Sequence, residues 1–208
     1  MISFHGAAKK LDDIDLPKIA HTIGCGEDEL HAVIDTETAG TGFQSDGRLT
    51  MLYEPHVFYR QLKQLGLLRT LDRAVAAGVA YQNWGLRPYP KDSYPSLQTA
   101  MELNYEIALR SASYGLPQMM GFNYEVCGYP SAEALVLDFR DSEVSQLEAM
   151  VKFLIANKLA DKLKNHDWAG FALGYNGPGF AKNGYDKKLA ANFAKWQKIK
   201  DTPYPPNP

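Results

Sequence analysis

The chain has 208 residues, of which 45% are hydrophobic and 22% charged, with a formal net charge of −2. This lies in the ordinary globular range and allows one domain with a real core, expected over residues 1–200, followed by a Pro-rich flexible tail at 201–208. No apolar run approaches the ~20 residues that cross a bilayer, and Met1 to Lys10 lacks the apolar core of a secretory signal.

The first helix is expected from about Leu16 to Ile23, with Asp15 as a possible N-cap and Pro17 in the first turn. Gly24 and Gly26 then break the chain. A second helix starts at Asp28, where Leu30, Val33, Ile34 and Glu37 fall at i, i+3, i+4 and i+7. Three apolar positions and one carboxylate thus share a face. Burial and the negative end of the helix both raise a carboxyl pKa, so Glu37 reads as a protonated acid at the lip of a cleft. Thr38-Ala39-Gly40 would let the chain turn sharply after it.

Gln44-Ser45-Asp46-Gly47-Arg48 has hairpin-turn chemistry, and Leu49 to Tyr53 reads as a short strand. Pro55 and His56 open another helix, with Val57, Phe58 and Leu62 as its apolar stripe. Further helices are expected at about 67–77, 96–113, 131–139, 142–163, 166–173 and 185–199. Ser96, Ser131, Ser142 and Asp186 stand where capping residues would. The fold class is therefore mainly α (α+β): a helical domain with a small antiparallel hairpin beside it.

Charge is unevenly spread. Residues 1–50 carry four basic and nine acidic side chains, whereas residues 151–208 carry ten lysines and four aspartates. The lysine-rich end suits weak attraction to an anionic polymer, but it has no arginine for bidentate phosphate recognition. With no stripe of basic and aromatic residues, a nucleic-acid partner is not expected.

Candidate chemistry rests on three carboxylates. Glu37 ends a helix, Asp46 lies in the following turn, and Glu54 ends the strand leaving that turn. A hairpin folded back over the helix end would put Asp46 or Glu54 across a groove from Glu37. Glycoside hydrolysis uses such a pair, one acid protonating the leaving oxygen and one carboxylate activating water. Ser113 and Gln118, polar residues among apolar and glycine neighbours, are candidates for contacting sugar hydroxyl or acetamido groups, or for closing a packing junction. Tyr175 and Asn176, in Gly174-Tyr175-Asn176-Gly177-Pro178-Gly179, suit either a pocket wall or a helix C-cap. His56 is placed to bond near Glu54.

Other chemistries fare worse. The five histidines show no metal-ligand spacing, so no metal and no cofactor is expected. Cys25 and Cys127 belong to no CxxC pair or nucleophile motif and read as two reduced cysteines. The glycines match no phosphate-binding loop.

Taken together, these segments resemble the N-acetylmuramidase family of phage endolysins, within the lysozyme-like superfamily. The matching stretches are Val33 to Phe43, Asp46-Gly47-Arg48 with Leu52 to Phe58, Ser111 to Asn123, Asp167 to Ala172, Gly174 to Gly179, and Asn183 to Ala191. They run in order over about residues 28 to 195. The resemblance implies a lysozyme-like helical domain with its hairpin subdomain beside the cleft, and Glu37 as the catalytic glutamate. It also implies Ser113 and Gln118 in the cleft-shaping loop, and Tyr175 and Asn176 beside the acid. Pro117 departs from the pattern and implies an altered subsite shape.

The implied reaction is cleavage of the β-1,4 bond from N-acetylmuramic acid to N-acetylglucosamine in peptidoglycan glycan strands. A lytic transglycosylase forming 1,6-anhydro ends and an inactive wall-binding module are the alternatives. The resemblance further implies a protein held in the host bacterial cytoplasm until lysis and then acting on the cell wall, monomeric and without stable membrane insertion.

Overall fold

The computed structural model describes residues 2–38 and 41–204. Two helices come first, α1 (Asp15–His21) and α2 (Glu27–Thr38). The turn expected at Thr38-Ala39-Gly40 falls on Ala39 and Gly40, outside the described residues. Asp15 is not the cap of α1. It lies within the helix, and its carboxylate accepts from the Asp12 N–H at 2.9 Å.

The next elements build a small sheet. Strand β1 (Met51–Tyr53) runs into α3 (Pro55–Gln64), whose Pro55 occupies the first turn, where no N–H is needed. The expected tight turn forms, with Gln44 N–H donating to Arg48 O at 2.8 Å and Phe43 bridging Leu49. The strand partner of β1, however, comes from much further along the chain. After α4 (Leu68–Ala76), the helix expected over 96–113 is broken into α5 (Tyr94–Leu103) and α6 (Tyr105–Arg110). Asn104 stands between them in extended backbone and caps α6 by accepting from the Ile107 N–H at 3.0 Å. Its short amide competes with helix continuation, which is why one helix becomes two.

The chain then forms β2 (Ala112–Tyr114) and β3 (Met119–Met120), followed by a 3-10 turn at Gly121–Asn123. The sheet is antiparallel in the order β1-β2-β3, with Met51 opposite Tyr114 and Ser113 opposite Met120. Ser113 therefore lies on a central strand, not at a helix end.

The remaining helices are α7 (Ala132–Phe139), α8 (Glu143–Ala156), α9 (Ala160–Lys164), α10 (Trp168–Asn176), α11 (Phe180–Asn183) and α12 (Tyr185–Trp196). Ser131 and Ser142 cap α7 and α8 as expected, whereas Ser96 and Asp186 lie inside helices. Asp167, not foreseen as a cap, serves α10 by accepting from the Gly170 N–H at 2.9 Å. The helix expected over 142–163 stops at Ala156, where Asn157 and the left-handed Lys158 intervene. Helix α11 was not anticipated.

Apolar side chains collect in two clusters. One lies under the sheet, with Tyr53, Phe58, Leu97, Leu109, Tyr114 and Phe139 fully enclosed. The other joins α1, α2, α8, α10 and α12 through Leu16, Leu30, Val33, Leu147, Phe171 and Leu189. Helix α12 lies along α2, where Trp196 stacks on His31 with ring centroids 3.6 Å apart and donates its indole N–H to Asp35 at 2.9 Å.

Two buried polar residues of α8 tie these regions together. Glu143 accepts from Gly42 N–H at 2.9 Å and Leu11 N–H at 3.0 Å. Gln146 accepts from Leu116 N–H and donates to Phe139 O, both at 2.7 Å. Backbone groups buried where no strand or helix can pair them must find side-chain partners, and these two supply them. Gly42 and Gly115 make the approach possible: a Cβ at Gly42 would sit 2.3 Å from the Gln146 side chain, and one at Gly115 2.6 Å from it. Gly115 also has φ of +70°, a conformation glycine adopts without cost.

Candidate active site

A cleft of about 620 Å³ separates the two regions. Glu37, Tyr175, Asn176, Phe180, Lys182 and Tyr185 line its helical wall. Leu52, Glu54, His56, Ser113, Gln118 and Met120 line the sheet wall, and Trp84 and Tyr89 reach in from the long connection between α4 and α5.

Glu37 is carried on the last turn of α2, above buried Leu30, Val33 and Ile34. Burial pushes its carboxyl up to about 7, against the opposing effects of a hydrogen bond from Asn176 and the nearby Lys188 ammonium. The Asn176 Nδ2–H donates to Glu37 Oε1 at 2.9 Å. Asn176 is the final residue of α10, and Gly177 beyond it, at φ of +79°, ends the helix so that the amide stays at the cleft. The Asn176 side-chain oxygen, Oδ1, is buried without a partner among the described residues.

Tyr175, one residue earlier, points its hydroxyl across the molecule and donates to Pro117 O at 2.8 Å. Burial, with Glu37 nearby, holds that phenol far above its usual range. Pro117 offers no N–H, but its carbonyl joins α10 to the β2–β3 turn. Within that turn Ser113 Oγ donates to Gln118 Oε1 at 2.9 Å, and Gln118 Nε2 donates to Gly115 O at 3.0 Å. Gln118 holds φ of +44°, an unusual conformation for a residue with a side chain. Ser113 and Gln118 therefore both line the cleft and close the turn. The two readings of these residues coexist.

Glu54 sits between β1 and α3 on the opposite wall. The Tyr89 hydroxyl donates to its Oε2, and His56 Nδ1 lies 3.2 Å from the same oxygen. Its Oε1 has no protein partner among the described residues. Tyr185, at the start of α12, is electrostatically coupled to both carboxylates: after burial, Glu37 and Glu54 raise its pKa in turn. That shared influence fits two carboxylates opening on one space.

Asp46 is not part of this arrangement. It stays exposed at its turn, where Oδ1 accepts from Arg48 N–H at 3.0 Å and Oδ2 from Arg48 Nε at 2.6 Å. The backbone N–H of Arg48 is the main cause that lowers its pKa. The turn folds on itself rather than over the end of α2, so the expected projection across the groove does not occur.

The cysteines lie away from the cleft lining, and both are free. Burial pushes the Cys25 thiol up to about 11 and Cys127 up to about 12, which suits thiols and not thiolate nucleophiles. Trp84, Tyr89 and Tyr185 are cleft residues that sequence reasoning did not single out. Tyr185 stood within a quoted motif, whereas nothing in spacing or periodicity marked Trp84 or Tyr89.

A mainly helical domain, a three-stranded antiparallel sheet and an elevated carboxyl at the cleft between them define a lysozyme-like enzyme fold. The chain matches the N-acetylmuramidase family over residues 27–197 and belongs to that family. The crystal structure of a Burkholderia AP3 phage endolysin is similar, at 35% identity and a TM-score of 0.78, over 91% of this chain and 72% of that one. No curated protein matches the sequence. Membership makes the chain a peptidoglycan-cleaving enzyme.

Proposed function

We propose that the chain hydrolyses the β-1,4 bond from N-acetylmuramic acid to N-acetylglucosamine, with Glu37 as general acid and Glu54 as the assisting carboxylate. The observation that carries this reading is the Glu37 carboxyl, raised to about 7 by burial and held by Asn176 at the floor of the cleft. At and below neutral pH a large share of Glu37 is protonated. Because the Asn176 N–H occupies Oε1, Oε2 is the oxygen left to carry the proton toward the glycosidic oxygen. The oxocarbenium-like charge that develops is countered from the other wall by Glu54, which positions the attacking water. The Tyr89 hydroxyl holds Glu54 at Oε2, His56 Nδ1 stands 3.2 Å from the same oxygen, and Oε1 is left for that water.

Ser113, Gln118, Tyr175 and Asn176 serve as substrate contacts, with His56 positioned to support Glu54. The Asn176 Oδ1, buried and unpartnered among the described residues, is suited to accept an N–H or O–H from a bound sugar. The substrate is the glycan strand of bacterial peptidoglycan. The protein acts as a monomer that accumulates in the host cytoplasm and meets the wall at lysis.

The test is mass spectrometry of fragments released from purified peptidoglycan, with and without borohydride reduction. Reducible N-acetylmuramic acid ends are expected. Fragments already in the 1,6-anhydro form would replace hydrolysis with intramolecular transfer, in which the acid returns as base and Glu54 has no water to activate. Binding without any released ends would make the chain a wall-binding module.

A further inference from the structure

The corner between α3 and α4 exposes side chains that folding would normally bury. Every residue from Lys63 to Arg69 is exposed, and three of them are leucines: Leu65 is 60% exposed, Leu67 36% and Leu68 58%. Val75, two turns along α4, adds a further exposed apolar group. The backbone beneath them is held by several hydrogen bonds. Leu67 N–H donates to Leu62 O at 3.0 Å and Gly66 N–H to Lys63 O at 3.1 Å, closing α3 with a left-handed glycine. Leu71 N–H then donates to Leu67 O at 2.9 Å as α4 begins. The leucines thus project from a fixed turn.

Their surroundings are strongly basic. Arg60, Lys63, Arg69 and Arg73 are exposed around the corner against one acid, Asp72. None of these five side chains has a hydrogen bond or ion pair among the described residues. Four free cations around an apolar knob stand out in a chain whose net charge is −2.

We propose that this corner docks on an anionic lipid surface, with Leu65, Leu67 and Leu68 entering the headgroup boundary and the four cations meeting lipid phosphates. Apolar groups ringed by cations gain twice there, from removal of leucine surface from water and from the negative surface potential. The turn is also open to an approaching surface, since a Cβ at Gly66 would meet nothing within 4 Å. A knob suits a deformable bilayer better than a rigid partner. A second copy of the chain is the poorer occupant, since a two-fold contact would press like cations together. No helix among the described residues is long and apolar enough to cross a membrane, so the contact is peripheral. None of these residues lines the cleft, so the inference stands apart from the proposed reaction.

The test is co-sedimentation of the intact protein with phosphatidylcholine vesicles, alone or mixed with phosphatidylglycerol. Binding is expected on the anionic vesicles and should weaken with added salt. A Leu65→Ser, Leu68→Ser variant should bind roughly ten-fold more weakly at equal lipid charge. An Arg69→Gln, Arg73→Gln variant should lose preference for the anionic vesicles. Because all four side chains are exposed, both variants should keep the parent's thermal transition and its digestion of purified wall. Absence of binding to anionic vesicles, or equal binding by parent and both variants, would overturn the proposal. So would a wild-type dimer in sedimentation velocity that the leucine variant turns into monomer, because the face would then be a contact between copies.

Discussion

The helical wall of the cleft presents Glu37 on apolar packing, with Leu30, Val33 and Ile34 beneath it and one amide N–H as its hydrogen-bond donor. The sheet wall presents Glu54 among polar partners, with the Tyr89 hydroxyl and His56 Nδ1 both at Oε2. The contrast is one of environment. A carboxyl deprived of water keeps its proton, whereas a carboxylate meant to orient water needs polar groups that fix it. In the proposed mechanism two chemically similar side chains thereby take different tasks, and each wall can be perturbed separately.

The largest expected effect comes from Glu37→Gln, which keeps the amide contact but removes the proton. Turnover on purified peptidoglycan should fall by about 10³-fold or more, with an unchanged circular dichroism spectrum. Near-normal turnover by the folded variant would remove Glu37 from the mechanism. On the opposite wall, Glu54→Gln should cost about 10²-fold, while Asp46→Asn should stay within about two-fold of wild type. The reverse ranking would show that the turn at Asp46 moves over the cleft when substrate binds.

The join between the walls can be loosened without touching either carboxylate. Gln146→Ala leaves Leu116 N–H and Phe139 O unpaired inside the protein and opens a void. We expect about 2–4 kcal/mol of lost stability in a denaturant melt. A loss below about 0.5 kcal/mol would mean that the Gln146 staple adds nothing net to the join.

A smaller effect follows from the Glu37 pKa itself. The folded value of about 7 lies above the ordinary 4.5, so the native state binds more protons than the unfolded chain between these limits. The Glu37 contribution to stability should therefore decline as pH rises from 4.5 through about 7, then level off. Glu37→Gln should lack that decline and be more stable at pH ~8 by about 1–3 kcal/mol relative to its difference at pH ~4. Parallel stability–pH curves for the two proteins would refute the burial argument.

Smallest of all is the effect expected from Asn176→Ala. The Asn176 N–H favours the charged form of Glu37, so its loss should move the alkaline limb of the activity profile upward, by up to about one pH unit. A downward move would mean that the amide instead supports the protonated acid.

Much of the helical wall was legible because it is encoded locally. The 3.6-residue spacing of Leu30, Val33, Ile34 and Glu37 sets which face of α2 is buried, and Ser131 and Ser142 announce their helices through short side-chain contacts. The sheet wall was only half legible. Residues 44–48 form the expected turn, yet β1 finds its strand partner at Ala112–Tyr114, straddling the end of the helix expected over 96–113. Strand pairing between distant segments leaves no periodic trace in either one. For the same reason the choice between Asp46 and Glu54 stayed open: it depends on Arg48 taking up Asp46 within three residues, and on Tyr89 arriving at Glu54 from a connection without regular structure.

By itself, the sequence determined the mainly helical class, the carboxylate-bearing end of α2, the tight turn at residues 44–48 and the ordered motifs that mark the family. Periodicity, capping chemistry and turn propensity act over a few residues, so they can be read from neighbours along the chain. Tertiary structure alone decided that Ser113 stands on a strand, that Glu54 and not Asp46 faces the cleft with Tyr185, and that Trp84 and Tyr89 reach the same space. It also decided that Glu143 and Gln146 are buried staples, since a glutamate and a glutamine on an amphipathic helix read as solvated until the backbone groups they satisfy are brought against them. These outcomes depend on which distant segments exclude water together, and burial of that kind is a property of the packed molecule.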